Sequence, residues 1–318
     1  MTTALITGAS GFVGRHLVAE LESATDWSVV GVGRRATSLG ARTRVLACDL
    51  RDADLVRRTV EHVAPDVIFH LASQSYVPQS VAAPAETLTN NLVGTLHVLE
   101  TVRGAQMDTK IVAVGSAEEY GFVAPDEVPV TESQPFRPGN PYAVSKIAQD
   151  MLALQYALSY GMSIVRMRPF SHVGPGQSDR FVLSTFARQI AEAELGLIEP
   201  TILTGNLDAI RDFLDVRDVV RAYRLVIDSI EPGAGEVYNL ASGIGWRIGD
   251  LLDKLIDMAD VPVEVKQDPS RLRPSDVPVL IGDATQFRER TGWQPERAIE
   301  STLQDILNDW RDHLRRKG

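Results

Sequence analysis

Residues 4–17 read Ala-Leu-Ile-Thr-Gly-Ala-Ser-Gly-Phe-Val-Gly-Arg-His-Leu, and this stretch decides the fold. A short apolar strand runs into three glycines spaced three apart, Gly8, Gly11 and Gly14, and a helical pattern follows them. Glycines here let the chain turn tightly, so that backbone N–H groups and a helix N-terminus can meet a pyrophosphate. The third glycine lets the helix pack closely on the strand. The stretch therefore predicts a dinucleotide-binding strand–turn–helix.

The same alternation of short β-rich runs and amphipathic helices continues through the first half of the chain. Strands are predicted at 3–7, 28–33, 43–47, 67–71, 110–115 and 163–167, and helices at about 12–23, 52–63, 84–104 and 141–160. This pattern predicts an α/β fold with a doubly wound parallel sheet of the Rossmann type, covered on both faces.

From about residue 170 the pattern becomes irregular, with helices predicted at 180–194, 247–258 and 298–315. We assign residues 1–169, with about 207–230 returning, to the dinucleotide-binding domain. Residues of about 170–206 and 231–318 are assigned to a smaller, interleaved α/β substrate lobe. Two segments, 212–220 and 237–240, resemble a return to the first lobe.

Composition limits the classes of partner. The net charge is −10, which makes nucleic acid an improbable ligand. No apolar run approaches the ~18 residues of a membrane span, and no basic-then-apolar secretory pattern opens the chain. The single cysteine, Cys48, excludes internal disulfides and fits a reducing cytoplasm. No His/Cys cluster has metal-ligand spacing, so no metal is expected.

A tyrosine and a lysine four residues apart, Tyr142 and Lys146, share one face of the helix predicted at 141–160. Free tyrosine titrates near pH ~10 and is a poor acid–base catalyst at neutrality. A fixed positive charge nearby favours the phenolate, so we expect Lys146 to lower the pKa of Tyr142. With Ser116 upstream, the pair predicts an acid–base site.

The choice of cofactor is predicted from the end of the second strand, about 20 residues beyond the glycines. An acidic residue there would bind the ribose 2′-hydroxyl of NAD, but the chain has Arg34 and Arg35 after Gly33. Two guanidinium groups match a 2′-phosphate in charge and geometry. We therefore predict NADP(H).

Eight motifs together resemble the extended short-chain dehydrogenase/reductase family that acts on nucleotide sugars, over nearly the whole chain. They are Gly8-x-x-Gly11-x-x-Gly14, His70-Leu-Ala72, Asn91-x-x-Gly94-Thr95, Ser116-Ala-Glu-Glu-Tyr-Gly121, Tyr142-x-x-x-Lys146, Arg168-Pro-Phe-x-His172-x-Gly-Pro-Gly-Gln177, Arg211-Asp-Phe213 and Arg271-x-Arg-Pro274.

The resemblance implies roles for individual residues. Tyr142 would be the acid–base group, Lys146 would tune it and hold the nicotinamide ribose, and Ser116 would bind the reacting oxygen, with Glu118 as a fourth catalytic group. The cofactor would be bound by Gly8, Ser10, Gly11, Phe12, Val13, Gly14, Arg34, Arg35, Asp49, Leu50, Leu71, Ala72, Ser73, Tyr142, Lys146 and His172. The substrate would be bound by Ser116, Glu118, Ser171, Phe181, Arg211 and Arg271, with Arg273, Gly205 and Asn206 as weaker candidates.

The reaction is predicted from Ala117. By resemblance, nucleotide-sugar 4,6-dehydratases carry an acid at this position, before a glutamate that removes the C5 proton. In this chain Glu118 occupies the position of that glutamate, but the position before it is Ala117, whose methyl group cannot protonate a leaving hydroxyl. The sequence around Ser116 and Arg168 is most similar to that of the GDP-4-dehydro-6-deoxy-D-mannose reductases, which form GDP-D-rhamnose. In that group an asparagine usually stands where this chain has Ser171.

The resemblance thus implies reduction, with NADPH, of the C4 ketone of a GDP-linked 4-keto-6-deoxy sugar. The alternatives are a dehydratase or 4-epimerase on the same scaffold, and a non-catalytic NADP(H)-binding sensor. The helices at 84–104 and 141–160 carry apolar residues on more than one face. Because related enzymes pair these helices across a two-fold axis, we expect a homodimer with a four-helix bundle.

Overall fold

The computed structural model describes residues 1–272 and 277–316. Arg273, one of the weaker candidates for substrate binding, lies outside the described residues. The strands are β1 Thr3–Thr7, β2 Ser28–Gly33, β3 Thr37–Leu39, β4 Thr43–Ala47, β5 Val67–His70, β6 Lys110–Val114, β7 Ile164–Pro169, β8 Ser171–Val173, β9 Thr201–Thr204, β10 Ile210–Asp215, β11 Val237–Leu240, β12 Gly245–Arg247, β13 Glu264–Gln267 and β14 Val279–Leu280.

The α-helices are α1 Phe12–Ala24, α2 Ala53–Val63, α3 Val77–Ala82, α4 Pro84–Leu88, α5 Gly94–Gly104, α6 Pro141–Tyr160, α7 Val182–Glu194, α8 Val216–Leu225, α9 Ile248–Asp257, α10 Thr285–Thr291 and α11 Ile299–Arg315. The predicted strands and helices are confirmed, with ends that differ by two residues at most, except that the helix predicted at 84–104 is divided into α4, a π-helical turn and α5.

The large sheet has the strand order β11-β7-β6-β5-β1-β2-β4-β3. Its strands are parallel except for β3, which pairs with β4 in the antiparallel sense. The chain builds outward from β1 to β4 and then returns to the other side of β1 at β5. In a sheet of this kind, ligands bind beyond the carboxyl ends of the strands where the order reverses. The predicted doubly wound fold is confirmed, and it places the site beyond β1 and β5.

Apolar side chains cover both faces of the large sheet. Leu5 and Ile68 pack with Val98 of α5 and Ala153 of α6 on one face. On the other face, buried residues of α1 and α8 share a core with β1, β4 and β7. Both helical layers are therefore needed to bury this sheet, whose strands are apolar on both sides.

A second, smaller sheet forms around β10, which pairs with β8 and β14 in the parallel sense and with β12 in the antiparallel sense. The parallel pair β9–β13 and helices α7, α9 and α11 surround it, with a core of their own. Strand β11 joins the large sheet beside β7, and α8 packs on α1. The chain thus passes between the two lobes several times, and the residue bounds of the lobes stay a prediction.

The helix predicted over 84–104 is interrupted by a π-helical turn over Thr89–Val93. A π-turn adds one residue to a helical turn, and such turns are frequent at functional sites. Asn91 lies in this turn, fully buried. The turn therefore changes which side chains the helix directs toward the centre of the molecule.

Candidate active site

The glycine turn brings the ends of β1 and β5 together. Gly8 has φ +73°, and a Cβ there would lie 3.0 Å from backbone atoms of Ala72. The backbone N–H of Ala72 donates to the Thr7 hydroxyl at 3.2 Å. The predicted cofactor residues Leu71, Ala72 and Ser73 therefore border the glycine turn.

Helix α1 starts directly behind this turn. A Cβ on Gly14 would lie 2.4 Å from the Gly8 carbonyl oxygen, so only glycine lets α1 pack this closely. The N-cap residue, Gly11, provides no side-chain cap, and Phe12 and Val13 follow it. The first N–H groups of α1 therefore remain available for an anion such as a pyrophosphate.

Arg34 and Arg35 follow β2 directly and are exposed. Asp49 follows β4 and pairs with Arg51 at 2.6 Å. Hydrogen bonds from Arg51 lower the pKa of Asp49 to about 2, and the charge of Arg34 contributes to this shift. Arg34 therefore lies near the segment of Asp49 and Leu50, two residues that the resemblance assigns to cofactor binding.

The predicted acid–base residues meet beyond β6. Ser116 caps a short 3₁₀ turn over Ala117–Glu119, and its hydroxyl accepts from the Glu118 N–H at 3.2 Å. Helix α6 begins at Pro141, where the Asn140 side chain accepts from the Ala143 N–H at 2.9 Å. This cap sets Tyr142 in the first turn of α6, where it is buried and close enough to the Ser116 side chain for the serine to affect its pKa.

Glu118 belongs to the same group of residues. Its Oε2 accepts from the Asn140 amide at 3.2 Å, and its charge acts on Tyr142. The structure thus brings Ser116, Glu118 and Tyr142 together. Ala117, between Ser116 and Glu118, is buried and offers only a methyl group.

The prediction that Lys146 lowers the pKa of Tyr142 is wrong for this structure. Burial raises the pKa of Tyr142, the nearby Ser116 side chain opposes the shift, and the charges of Glu118 and Glu119 add to it. The Lys146 ammonium donates instead to the Val114 carbonyl at 2.6 Å and to Gln149 at 3.0 Å. Tyr142 is therefore a protonated phenol at neutral pH and, with its raised pKa, a weaker acid than free tyrosine.

A buried hydrogen-bond chain continues from Lys146 into the sheet. The Gln149 amide donates to the Thr95 hydroxyl at 2.5 Å, and Thr95 bonds the His70 ring at 2.9 Å. The other ring nitrogen of His70 bonds Thr7 at 2.9 Å. Burial lowers the pKa of His70 to about 3, so the ring is neutral. This chain of bonds ties the lysine to the glycine turn.

A second connection runs from the π-turn to α6. The Asn91 amide donates to the Ser145 hydroxyl at 2.9 Å and accepts from the Gln74 N–H at 2.7 Å. Ser145 in turn donates to the Tyr142 carbonyl at 2.7 Å. The π-turn therefore positions the turn of α6 that carries Tyr142.

Asn91, Thr95 and His70 stand in motifs noted above, but no role followed from the sequence. The sequence analysis did not identify Gln149 or Glu119 as site residues. The only signal for Gln149 was its i+3 spacing from Lys146, and the only signal for Glu119 was its position beside Glu118 as a second carboxylate.

Of the predicted substrate residues, Ser116 and Glu118 lie in the turn after β6, and the others lie on the side of the second lobe. Ser171 and His172 stand on β8, and the His172 ring stacks on Phe12 with centroids 6.3 Å apart. Phe181 precedes α7 and contacts Tyr76 edge to face. The contact of His172 with Phe12 thus joins the start of α1 to the second lobe. The roles of Ser171 and Phe181 in substrate binding stay predictions.

Arg211 lies on β10 and donates to the Ile210 carbonyl at 2.9 Å. Arg271 is exposed and pairs with Asp268 at 3.3 Å. A Cβ on Gly205 would lie 2.7 Å from the Arg271 carbonyl oxygen, so the weaker candidates Gly205 and Asn206 adjoin the Arg271 loop.

Over residues 1–272 and 277–316, no helix combines the length and apolar character needed to span a bilayer. In the same described ranges, no group of three or more His, Cys, Asp or Glu side chains could hold a metal ion.

Comparison with protein families matches residues 5–306 to the GDP-mannose 4,6-dehydratase family. Among curated proteins, the chain is 39% identical to the GDP-6-deoxy-D-mannose reductase of Pseudomonas aeruginosa, over 98% of this chain and 97% of that protein. It is 30% identical to the GDP-mannose 4,6-dehydratase of Sinorhizobium fredii, over 98% and 97% of the two chains.

Two solved structures are also similar. RMD from Pseudomonas aeruginosa, complexed with NADPH, matches with a TM-score of 0.88 and 38% identity, over 98% of this chain and all of that one. The UDP-glucose 4-epimerase of Thermus thermophilus, in complex with NAD, matches with a TM-score of 0.87 and 27% identity, over 98% and 99%. The resemblance to extended short-chain dehydrogenases/reductases is thereby confirmed.

Proposed function

Since the chain belongs to the GDP-mannose 4,6-dehydratase family, we propose that it is an NADPH-dependent reductase of a GDP-linked 4-keto-6-deoxy sugar. The expected reaction converts GDP-4-dehydro-6-deoxy-D-mannose to GDP-D-rhamnose. Support comes from the 39% identity to a GDP-6-deoxy-D-mannose reductase over almost the full length of both chains.

The observation that carries this proposal is the acid–base geometry at the 116–118 turn. Tyr142 is buried beside Ser116, and its raised pKa keeps the phenol protonated at neutral pH. Ala117 is buried within the same turn and has no proton to give. The site therefore contains one proton donor, Tyr142, and a methyl group at the position where water elimination needs a second acid.

NADPH, when bound, supplies the hydride that reduces a ketone. The residues of this chain would do the remaining work. Ser116 and Tyr142 would hold the ketone oxygen, and Tyr142 would protonate it as it becomes an alkoxide. The buried ammonium of Lys146, held by Val114 and Gln149, would hold the nicotinamide ribose, the role that the resemblance implies.

The preference for NADPH is supported by the position of the arginines. Arg34 and Arg35 are exposed after β2, and Arg34 lies near enough to Asp49 to affect its pKa. Guanidinium groups there can pair with a 2′-phosphate, which NADH lacks. The similar structure of RMD was solved with NADPH.

A direct test is to incubate the purified protein with NADPH and a panel of 4-keto nucleotide sugars. NADPH oxidation is followed by absorbance and the product by NMR. We expect fastest turnover with the GDP-linked 4-keto-6-deoxy sugar. If no member of the panel causes oxidation of NADPH, the proposed reductase activity is wrong and the sensor alternative remains.

The dehydratase alternative is favoured by Glu118, which contacts Asn140 beside Tyr142. GDP-mannose with catalytic NADP⁺ separates the two functions. We expect little or no 4-keto-6-deoxy product, because Ala117 cannot protonate the leaving C6 hydroxyl. Elimination at a rate comparable to ketone reduction would contradict the reductase.

We also propose that the protein acts as a homodimer in the cytoplasm. Val144, Met151 and Leu158, spaced seven apart on α6, are 44%, 37% and 63% exposed. A seven-residue apolar repeat forms one stripe along a helix, and such stripes pair with a second helix. This stripe supports the four-helix bundle, and the single cysteine, Cys48, supports a reducing compartment.

A further inference from the structure

The Lys146 ammonium is buried at one end of the hydrogen-bond chain described above, and Gln149 lies one turn further along α6. Lys146 and Gln149 are only 3% and 4% exposed. The ammonium donates to the Val114 carbonyl at 2.6 Å and to Gln149 Oε1 at 3.0 Å. An ammonium has three N–H donors and no acceptor. Counted over residues 1–272 and 277–316, these two hydrogen bonds leave one N–H of Lys146 for a ligand.

The hydroxyl of Thr95 fixes the direction of the next hydrogen bonds. It donates to the Asn91 carbonyl at 2.7 Å, because a carbonyl oxygen can only accept. A hydroxyl has one hydrogen, so its other two partners must donate to it. These partners are Nε2 of Gln149 at 2.5 Å and Nε2 of His70 at 2.9 Å. The contacts therefore place a hydrogen on Nε2 of the His70 ring.

The other end of the chain agrees with this direction. His70 is buried and neutral, so its Nδ1 is an acceptor. The Thr7 hydroxyl donates to this nitrogen at 2.9 Å and accepts from the Ala72 N–H at 3.2 Å. If the Gln149 amide were turned over, its NH₂ would meet the ammonium and its oxygen would meet Thr95, whose only hydrogen is used. The orientation of the Gln149 amide is therefore fixed at both ends.

We propose that Gln149 is a positioning residue of the acid–base site: its amide, held by Thr95, orients the Lys146 ammonium so that the remaining N–H can bind the nicotinamide ribose. This inference rests on the proposed function, because the resemblance assigns the ribose to Lys146. Lysine is a flexible side chain, so the second hydrogen bond restricts where its ammonium lies. Gln149 acts only through Lys146.

The test compares two substitutions of Gln149. Gln149→Leu removes both of its hydrogen bonds, to Lys146 and to Thr95. Gln149→Glu keeps an oxygen that accepts from Lys146, but its second oxygen meets the Thr95 hydroxyl, whose hydrogen is used. Gln304→Leu is the matched control, since the Gln304 amide donates to Asn308 at 3.1 Å on the surface of α11.

Two quantities are measured without any sugar: NADPH affinity by fluorescence, and the pKa of Lys146 by NMR of protein labelled with ¹³C at lysine Cε. The chain has five lysines, and Lys146→Arg assigns the relevant signal. The charges of Glu119 and Asp150 also act on Lys146, and neither residue is substituted in any variant.

In Gln149→Leu, the Kd of NADPH should rise about 10-fold, as for the loss of one hydrogen bond to a charged group. The pKa of Lys146 should fall, because hydrogen bonds to a charged form favour that form. In Gln149→Glu, the pKa of Lys146 should rise above the wild-type value, and the affinity for NADPH should be restored in part. Gln304→Leu should leave both quantities unaltered.

The direction of the chain has a readout of its own. ¹⁵N NMR of ring-labelled protein distinguishes the two neutral tautomers of histidine, and His70→Asn assigns the signal among the six histidines. We expect the hydrogen of His70 on Nε2. The opposite tautomer in the wild type would overturn the proposal, because the hydroxyl that holds Gln149 would then donate to His70.

Both quantities must change in Gln149→Leu, so a folded variant in which either keeps its wild-type value would also overturn the proposal. If that variant fails to fold, Gln149→Glu decides, and an unchanged pKa of Lys146 there would refute the inference. Because none of these measurements needs a sugar, absence of ketone reduction in the wild type would refute the proposed function alone.

Discussion

Replacing Gly14 by alanine tests whether the closeness of α1 to the glycine turn matters for both stability and cofactor binding. The added Cβ would lie 2.4 Å from the Gly8 carbonyl oxygen and 2.7 Å from Ala9 backbone atoms. These atoms cannot rotate away, and the first distance is 1.0 Å short of the 3.4 Å at which ordinary contact begins. Helix α1 must therefore retreat from β1 by about 1 Å.

Two effects of this substitution oppose each other. Alanine in a helix is favoured over glycine by about 1 kcal/mol. Overpacking a rigid site costs about 1–3 kcal/mol. The cost at Gly14 should lie at the upper end of this range, because the atoms that an added Cβ would meet are backbone atoms, which cannot move aside. The free energy of unfolding should therefore fall by about 1–2 kcal/mol. Because the retreat also moves the N-terminus of α1, NADPH affinity should fall about 10-fold, or ~1.4 kcal/mol.

Gly104→Ala is the matched control, since Gly104 ends α5 and an added Cβ there meets nothing within 4 Å. This variant should be as stable as the wild type or up to about 1 kcal/mol more stable. Urea unfolding and NADPH titration by fluorescence measure both quantities. A Gly14→Ala protein with the wild-type unfolding midpoint and unchanged NADPH affinity would refute the reasoning.

Four further predictions concern the site and the assembly. Tyr142→Phe should lower kcat by ~10²–10⁴-fold with little change in NADPH affinity; turnover near the wild-type value would rule out the assigned acid. Arg34→Ala with Arg35→Ala should weaken NADPH far more than NADH, and equal losses in a fluorescence titration would show that neither arginine contacts the 2′-phosphate. Because the pKa of Tyr142 is raised and that of Lys146 lowered, the rate should decline as rising pH removes the Lys146 proton. If substitution of Lys146 leaves this decline in rate at alkaline pH unchanged, and substitution of Tyr142 removes it, the assignment of the decline to Lys146 is wrong. Light scattering at micromolar concentration should give about twice the 34.8 kDa chain mass; a mass near that of one chain would reject the dimer.

Local sequence patterns predicted the large sheet because its strands and helices carry strong signals. The strand before Gly8 is apolar, and helix α6 has a proline and an asparagine cap at its start and Gly161 at its end. The short strands β8, β12 and β14 were not predicted. Each has two or three residues and forms because β10 is there to pair with it. Such strands depend on tertiary partners more than on their own sequence.

The same limit applies to the site. Spacing and resemblance predicted that Ser116 and Tyr142 belong together, and the structure places the Ser116 side chain near enough to affect the pKa of Tyr142. The direction of the Tyr142 pKa shift could not be predicted, because it depends on burial and on where the Lys146 ammonium points. Glu119 was missed for the same reason. Two adjacent glutamates look alike in the sequence, but one faces Asn140 and the other is buried against Arg168.

The π-turn over Thr89–Val93 has a consequence for how this scaffold can change through evolution. A π-turn accommodates one more residue than an α-helical turn, so it corresponds to a single inserted codon. Deleting one residue there would restore a regular helix and rotate the preceding side chains by about 100°. Asn91 would then lose Gln74 and Ser145 together. Indels in this helix, as well as substitutions in the site, are therefore a route by which related proteins could gain or lose activity.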